Sequence, residues 1–434
     1  RASLARQTAP RYKTASQGIS LNTPHVLPSR WAMYRTLFLP VYVPSFFMSI
    51  CQGSALLLLP LYALELGGTP AMAAVIFACR GLGNMTADIP AGLLVQKFGD
   101  AKVMKAGVTL MVLAAAGCAL ANNLMQLALM AATIGLSMAT WLLARLTLIS
   151  DLVESSQRGQ ALATMAGLQR FGHFLGPMIA GSVVYMFDYS VAFFGIAVLA
   201  LATLALLRLG AGKVDAREGV DKGHTASIDP ESGNSRHLID LLIAHRSVFL
   251  SGGTAVFLLT LVRAARTLLI PLWGAWIGLN VAEIGLIVGI SAGIDMIMFP
   301  FAGLIMDNWG RRYAGMMCLG LLSTSLLLLS LSTDSWSFAA AACVAGLGNG
   351  LGSGINMTLG TDFAPIRQRG HFLGIWRMIG DAGAFTGPTL ISSIAATIGL
   401  GPSLGISAVL GFIGLFVMAR FVPETRIQSS APSD

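Results

Sequence analysis

Six arginines of this 434-residue chain, Arg80, Arg145, Arg170, Arg263, Arg266 and Arg377, lie inside long apolar stretches. Asp88, Asp295 and Asp381 lie there too, with Asp151 and Asp362 at the ends of two such stretches. A charge in a hydrocarbon core costs roughly 2.5–3.5 kcal/mol on insertion scales, so these groups are expected to line a cavity or pair between helices. Arg263 and Arg266 are three residues apart and share a helix face, which makes them the strongest anion-attracting feature. His173 is three residues beyond Arg170 and shares its face; histidine is the side chain whose charge changes near neutral pH. Asp295 and Asp381 are the candidates to carry a coupling proton. Asp295 leads, because its own stretch holds no basic residue to keep it charged, whereas Asp381 has Arg377 and Arg170 as candidate partners. The expected substrate cavity is Gln52, Arg80, Arg170, His173, Arg263, Arg266, Trp273 and Trp376. Phe46, Phe47, Tyr62, Trp141 and Trp276 add aromatic surface, some of it at the membrane interface.

The elements that position these groups are membrane helices. Hydrophobic residues make up 55% of the chain and charged ones 11%, against about 25% charged in soluble proteins, which disfavours a soluble enzyme or a nucleic-acid binder. Apolar runs long enough to cross a bilayer fall near 37–63, 71–93, 103–121, 125–150, 160–186 and 190–208. A second set follows near 248–277, 283–305, 313–331, 336–361, 371–396 and 401–421. These runs are continuous and rich in Leu, Ala and Gly, unlike the short alternating segments of a β-barrel. The reading is therefore an all-α polytopic membrane protein with twelve transmembrane helices.

Of the 28 Lys and Arg, 22 lie between the runs or at their ends, all on one side if both termini face the cytoplasm. The opposite loops carry only Glu65, Asp188, Glu283 and Asp334. That is the positive-inside bias, and it predicts an integral protein of the bacterial inner membrane with both termini cytoplasmic. Residues 1–35 read as an N-terminal tail without a signal peptide, 36–208 as a first bundle, and 209–246 as a flexible or amphipathic cytoplasmic linker. Residues 247–421 read as a second bundle and 422–434 as a C-terminal tail. The five cysteines form no C-x-x-C pair, so neither a disulfide frame nor a metal site is suggested, and no cofactor is implied.

The chain repeats itself at an offset of 211. Gly92 and Gly99 fall on Gly303 and Gly310, and Asp151, Arg158 and Gly159 on Asp362, Arg369 and Gly370. Gly176 and Pro177 fall on Gly387 and Pro388, and Pro60 on Pro271. The same offset places Gln52 on Arg263 and Arg170 on Asp381, a candidate cross-bundle contact. Two homologous six-helix bundles with a cavity between them are the architecture of alternating-access carriers.

The loop of the second half reads Gly303, Asp307, Gly310, Arg311, Arg312; its first-half copy reads Gly92, Gln96, Lys97, Gly99, Asp100, Lys102. This signature, with the tail Pro423, Glu424, Thr425, Arg426, resembles the major facilitator superfamily over essentially the whole chain. The resemblance implies the major facilitator fold and a gate at the basic loops: Asp88, Gln96, Arg145, Asp151, Arg158, Asp307, Arg311, Arg312, Asp362 and Arg369. Gln96 stands where the signature has Asp, which weakens that latch.

Gly172, Gly176 and Pro177, with Gly383, Gly387 and Pro388 in the second half, are helix-packing positions. They resemble a pattern of the family's drug/proton antiporter branches, with Ala163 and Ala180 replacing two of its glycines. The span-four arginine of many such exporters is absent, since the matching stretch is 131–135. No phosphate-binding Gly-x-x-x-x-Gly-Lys-Ser/Thr loop occurs, which disfavours a primary ATP-driven pump; the reading is a membrane transporter without an ATPase motif, not an enzyme. The leading expectation is a secondary carrier, working as a monomer among membrane lipids, that exports an amphipathic drug-like or organic compound in exchange for protons or another coupling ion. The alternatives are an importer or uniporter of an organic anion or metabolite, and a non-transporting receptor or lipid-handling protein.

Overall fold

The computed structural model describes residues 37–153, 155–218, 241–365 and 368–425, of which none is in a strand. The first half contains α1 (Val43–Glu65), α2 (Pro70–Phe98), α3 (Asp100–Ala119), α4 (Leu124–Leu152), α5 (Ser155–Met186) and α6 (Tyr189–Glu218). The second contains α7 (Thr254–Trp276), α8 (Val281–Asn308), α9 (Arg311–Leu331), the broken pair α10a (Ser335–Leu351) and α10b (Ile355–Phe363), α11 (Arg369–Thr397) and α12 (Leu400–Phe421).

Local chemistry sets the ends of these helices. Thr69 accepts from the Met72 amide ahead of Pro70, and Asn280 with Glu283 forms a reciprocal capping box at α8. Gly99 and Gly310, at φ 84° and 113°, turn α2 into α3 and α8 into α9 with almost no loop. A five-residue π-helical turn precedes α1 at Phe38–Tyr42 and α7 at Phe249–Gly253, again 211 residues apart.

Nine helices among the described residues are long and apolar enough to cross a membrane. The long helices outside that set are α2, α5 and α11, which carry Arg80, Asp88, Arg170, His173, Arg377 and Asp381. The membrane-length apolar part of α6 ends at Leu209, and the helix runs on to Glu218 within the expected linker; residues 219–240, the first 36 and the last nine lie outside the described set.

Packing follows the repeat. Helix α1 lies along α5, and α7 along α11; α2 packs on α4, and α8 on α10a. The halves meet where α5 crosses α8 and where α11 crosses α2, with α1 touching α7.

Candidate functional site

Glycines fix how closely α5 and α1 approach. A Cβ on Gly172 would stand 2.5 Å from the Ser49 Cβ, and one on Gly176 would stand 2.7 Å from the Ile50 carbonyl oxygen. In the second half a Cβ on Gly387 would stand 2.7 Å from the Leu261 carbonyl, and Gly383 seats on Phe257 and Thr260. Ile50 and Leu261, Phe46 and Phe257, Ser49 and Thr260 are all 211 apart, so the repeat holds at the level of single contacts. Pro177 and Pro388 lie inside α5 and α11 without ending them. This seating brings His173 of α5 against α1, with its Nε2 3.3 Å from Gln52 Oε1.

At the crossing of α5 and α8, Asp295 Oδ1 lies 3.4 Å from an Arg170 nitrogen, while Oδ2 accepts from Asn349 Nδ2 at 2.7 Å. Arg170 also donates to Ser353 Oγ at 3.0 Å and lies 4.3 Å from the centre of the Phe299 ring. Asp295 is therefore held from the other half of the chain, a partner that the composition of its own helix could not reveal. Asp381 lies 3.6 Å from Arg377, not at Arg170, and Arg377 reaches Asp88 across the α11–α2 crossing at 3.1 Å. Among the described residues, two ion pairs thus join the halves.

On α7, Arg266 reaches α10a and Arg263 reaches the turn just after it. Arg263 donates to the Gly352 carbonyl at 2.7 Å and Arg266 to the Ala345 carbonyl at 3.0 Å. Helix α10 breaks at Gly352, Ser353 and Gly354, with Gly354 at φ 82°, and the Gly352 carbonyl there accepts both the Ile355 amide at 3.3 Å and Arg263.

In the first half Arg80 lies 5.0 Å from the Phe77 ring centre with no ion pair among the described residues. Arg145, expected at the gate, is only 1% exposed and donates to Gln169 Oε1 at 3.5 Å. It lines a cavity of about 50 Å³ with Ser49, Gln52, Asn84, Trp141 and Gln169. Electrostatic interactions tie His173 to Asp295, Arg170, Arg80 and Arg145, and Arg266 to Asp295 and Arg263, so these groups share one central field.

The expected cavity tryptophans lie elsewhere. Trp273 is buried and donates to Ser332 Oγ at 3.0 Å, at the end of α9. Trp376 is buried between α11 and α10b and donates to Asn356 Oδ1 at 2.8 Å.

At the basic loops Arg311 pairs with Asp307 at 3.6 Å and with Asp362 at 3.3 Å. Glu424 accepts the backbone amides of Arg311 and Arg312 at 2.8 and 3.1 Å, placing a carboxylate on the α9 N-terminus. Arg312 bonds the Ala419 carbonyl, and Thr425 donates to Asp362 at 2.7 Å. Gln96 and Arg369 are exposed, Arg158 is half-buried near the start of α5, and the Asp151 side chain lies outside the described set. Sequence reasoning missed Asn84, Gln169, Asn349 and Ser353. Asn84 had a signal, since the 211 offset places it on Asp295.

Three comparisons bear on this helical chain. The Major Facilitator Superfamily profile fits residues 41–262 and again 252–434. The chain belongs to that family. An uncharacterized MFS-type transporter of Mycobacterium tuberculosis, Rv1250, is 26% identical over 122 residues, or 28% of this chain; the match spans about a fifth, 21%, of that relative. Among solved structures, a POT family transporter in complex with a thioalcohol-conjugated peptide superposes with a TM-score of 0.70 at 12% identity, covering 89% of this chain and 95% of that one. A mutant of the nucleoside transporter NupG gives 0.68 at 14% identity, covering 89% and 100%. At those identities the likeness is one of fold. This major facilitator protein is a membrane transporter of the secondary type, not an enzyme.

Proposed function

We propose that this transporter carries a small organic solute bearing an acidic group, by rocking its two halves about a central site. The observation that carries the reading is the charge balance there. Arg170 and Arg266 interact with one carboxylate, Asp295, which Arg170 and Asn349 already engage; Arg263 lies beside both, and Arg80 and Arg145, which interact with His173, have no carboxylate partner among the described residues. Backbone carbonyls and amide oxygens satisfy hydrogen bonds but cancel no charge, and uncompensated buried charges are costly, so an anion is the complementary guest. We further propose that all the helices α1–α12 cross the bilayer with the basic loops in the cytoplasm. Close approaches between halves cluster toward the opposite end, at Gly181 on Val281, Gly285 on Pro177 and Ser392 on Ala71. Arg377, toward the basic end, is more than half exposed, which favours entry from the basic side.

The Arg170–Asp295 pair supplies a coupling element in this proposal. Rocking that parts α5 from α8 frees the carboxylate to take a proton, and closure expels it. A second reading, proton-driven export of an amphipathic compound, draws on the stacked rings of Phe46 and Phe171, 5.5 Å apart, with Phe174 beyond. The test is flux in proteoliposomes with a panel of labelled anions and cations, with and without a pH gradient. Anion-selective flux supports the first reading and cation-only flux sinks it. Asp295→Asn is expected to lose accumulation driven by the pH gradient while retaining exchange. An Asn variant that still concentrates substrate in this way removes Asp295 from coupling.

A further inference from the structure

We propose that the cavity lined by α1, α2, α4 and α5 around Arg145 is a receptor for one small anionic group, a carboxylate or a halide-sized ion. Arg145 is 1% exposed, its Nε has no partner, and no carboxylate pairs with it among the described residues. Its contacts are a long bond to Gln169 Oε1 at 3.5 Å and the Trp141 ring centre at 5.8 Å, neither of which neutralises it. A buried arginine without a counter-charge is costly, and the cavity beside it holds space for one.

The lining is built for negative charge. Gln169 spends its carbonyl oxygen on Arg145, and Gln52 turns its own toward His173, so the NH₂ end of each amide is left to donate. Asn84 lines the same space with no hydrogen bond among the described residues. Three amides and a guanidinium therefore converge without an opposing carboxylate. At about 50 Å³ the cavity holds a few heavy atoms: a headgroup fits, a whole metabolite does not. Its biological ligand rests on the anion-carrier reading, but the site is tested independently of flux.

Trp141 in the wall is the reporter. Purified protein in detergent is titrated with sodium acetate or sodium chloride, replacing gluconate at constant ionic strength, and the Trp141→Phe signal is subtracted. A saturable change is expected, lost in Arg145→Gln and kept in the distant Arg420→Gln. If Arg145→Gln does not fold, Arg145→Lys and Asn84→Ala are each expected to weaken binding by roughly tenfold, through loss of a charge-assisted fork or of one donor. Acetate binding ahead of chloride supports a substrate carboxylate as the natural occupant; chloride ahead of acetate supports an inorganic ion. No saturable change with either, or one that survives in Arg145→Gln, overturns the receptor. Cation-only flux with this signal intact would refute the carrier reading and leave the receptor standing.

Discussion

A single methyl added at Gly176 or at Gly387 tests the frame that holds the site. Each new Cβ would stand 2.7 Å from a carbonyl oxygen of the facing helix, Ile50 on α1 or Leu261 on α7. Ordinary contact begins near 3.4 Å, so the helices must part by about 0.7 Å. The two sites then differ. At Gly176 the Cβ also meets the Ser54 nitrogen at 2.9 Å and the Gly53 Cα at 3.1 Å, all rigid backbone; at Gly387 the next atoms lie at 3.3 and 3.4 Å. Overpacking costs about 1–3 kcal/mol, and replacing Gly by Ala within a helix returns up to about 1 kcal/mol. Gly176→Ala is therefore expected to destabilise by about 1–2 kcal/mol and Gly387→Ala by about 0–1 kcal/mol. The 3.0 Å bond from Ser54 Oγ to the Gly176 carbonyl weakens with the first. Reversible unfolding in mixed micelles, with denaturing detergent titrated in, measures both. A neutral Gly176→Ala, or a larger effect at Gly387, refutes the reasoning from contact register.

Two further outcomes test the ends of the helices. Asp334 caps α10a through Trp336 and Ser337, whose backbone and hydroxyl hydrogen bonds hold its carboxyl below the usual 3.8. Its contribution is thus present above pH 3.8 and lost as pH falls through the lowered folded-state value. Asp334→Ala is expected to melt earlier than wild type at neutral pH and to converge with it in acid, by melting temperature against pH. Glu424→Ala removes the acceptor of the Arg311 and Arg312 amides and is expected to cost about 0.3–1 kcal/mol in the same micelle unfolding assay.

The frame was legible in the sequence because its constraints are local and repeated. Gly99 and Gly310 must take positive φ, and Gly176 and Gly387 must admit a neighbouring backbone, so the residues themselves mark the register. The charged centre was legible in composition but not in pairing. Nothing within α8 shows that Arg170 reaches Asp295 from the other half, and the spacing of Arg263 and Arg266 does not name the carbonyls they serve. The break at Gly352, Ser353 and Gly354 lies inside a run that reads as one span over 336–361, although two glycines so close together are a turn signal. Arg145 was harder still: in the sequence it reads as a gate residue near the basic loops, whereas packing against Trp141 and Gln169 buries it.

Symmetry builds the scaffold, and departures from symmetry place the chemistry. The position matching Asp295 is Asn84, that matching Arg170 is Asp381, and that matching Asp88 is Phe299. The two crossings therefore cannot carry the same bond. The α5–α8 pair lies at mid-helix, while Asp88 is four residues beyond Asn84, about 6 Å closer to the basic end. When two rigid halves rock about contacts at the opposite end, displacement grows with distance from those contacts. For one angle, Asp88 and Arg377 separate further than Arg170 and Asp295. The pair at Asp88 is also the wetter, with Arg377 56% exposed against 23% for Arg170, so water competes for it sooner. The outer pair therefore yields before the inner one, and the carboxylate at the centre is released only after the path to it has opened.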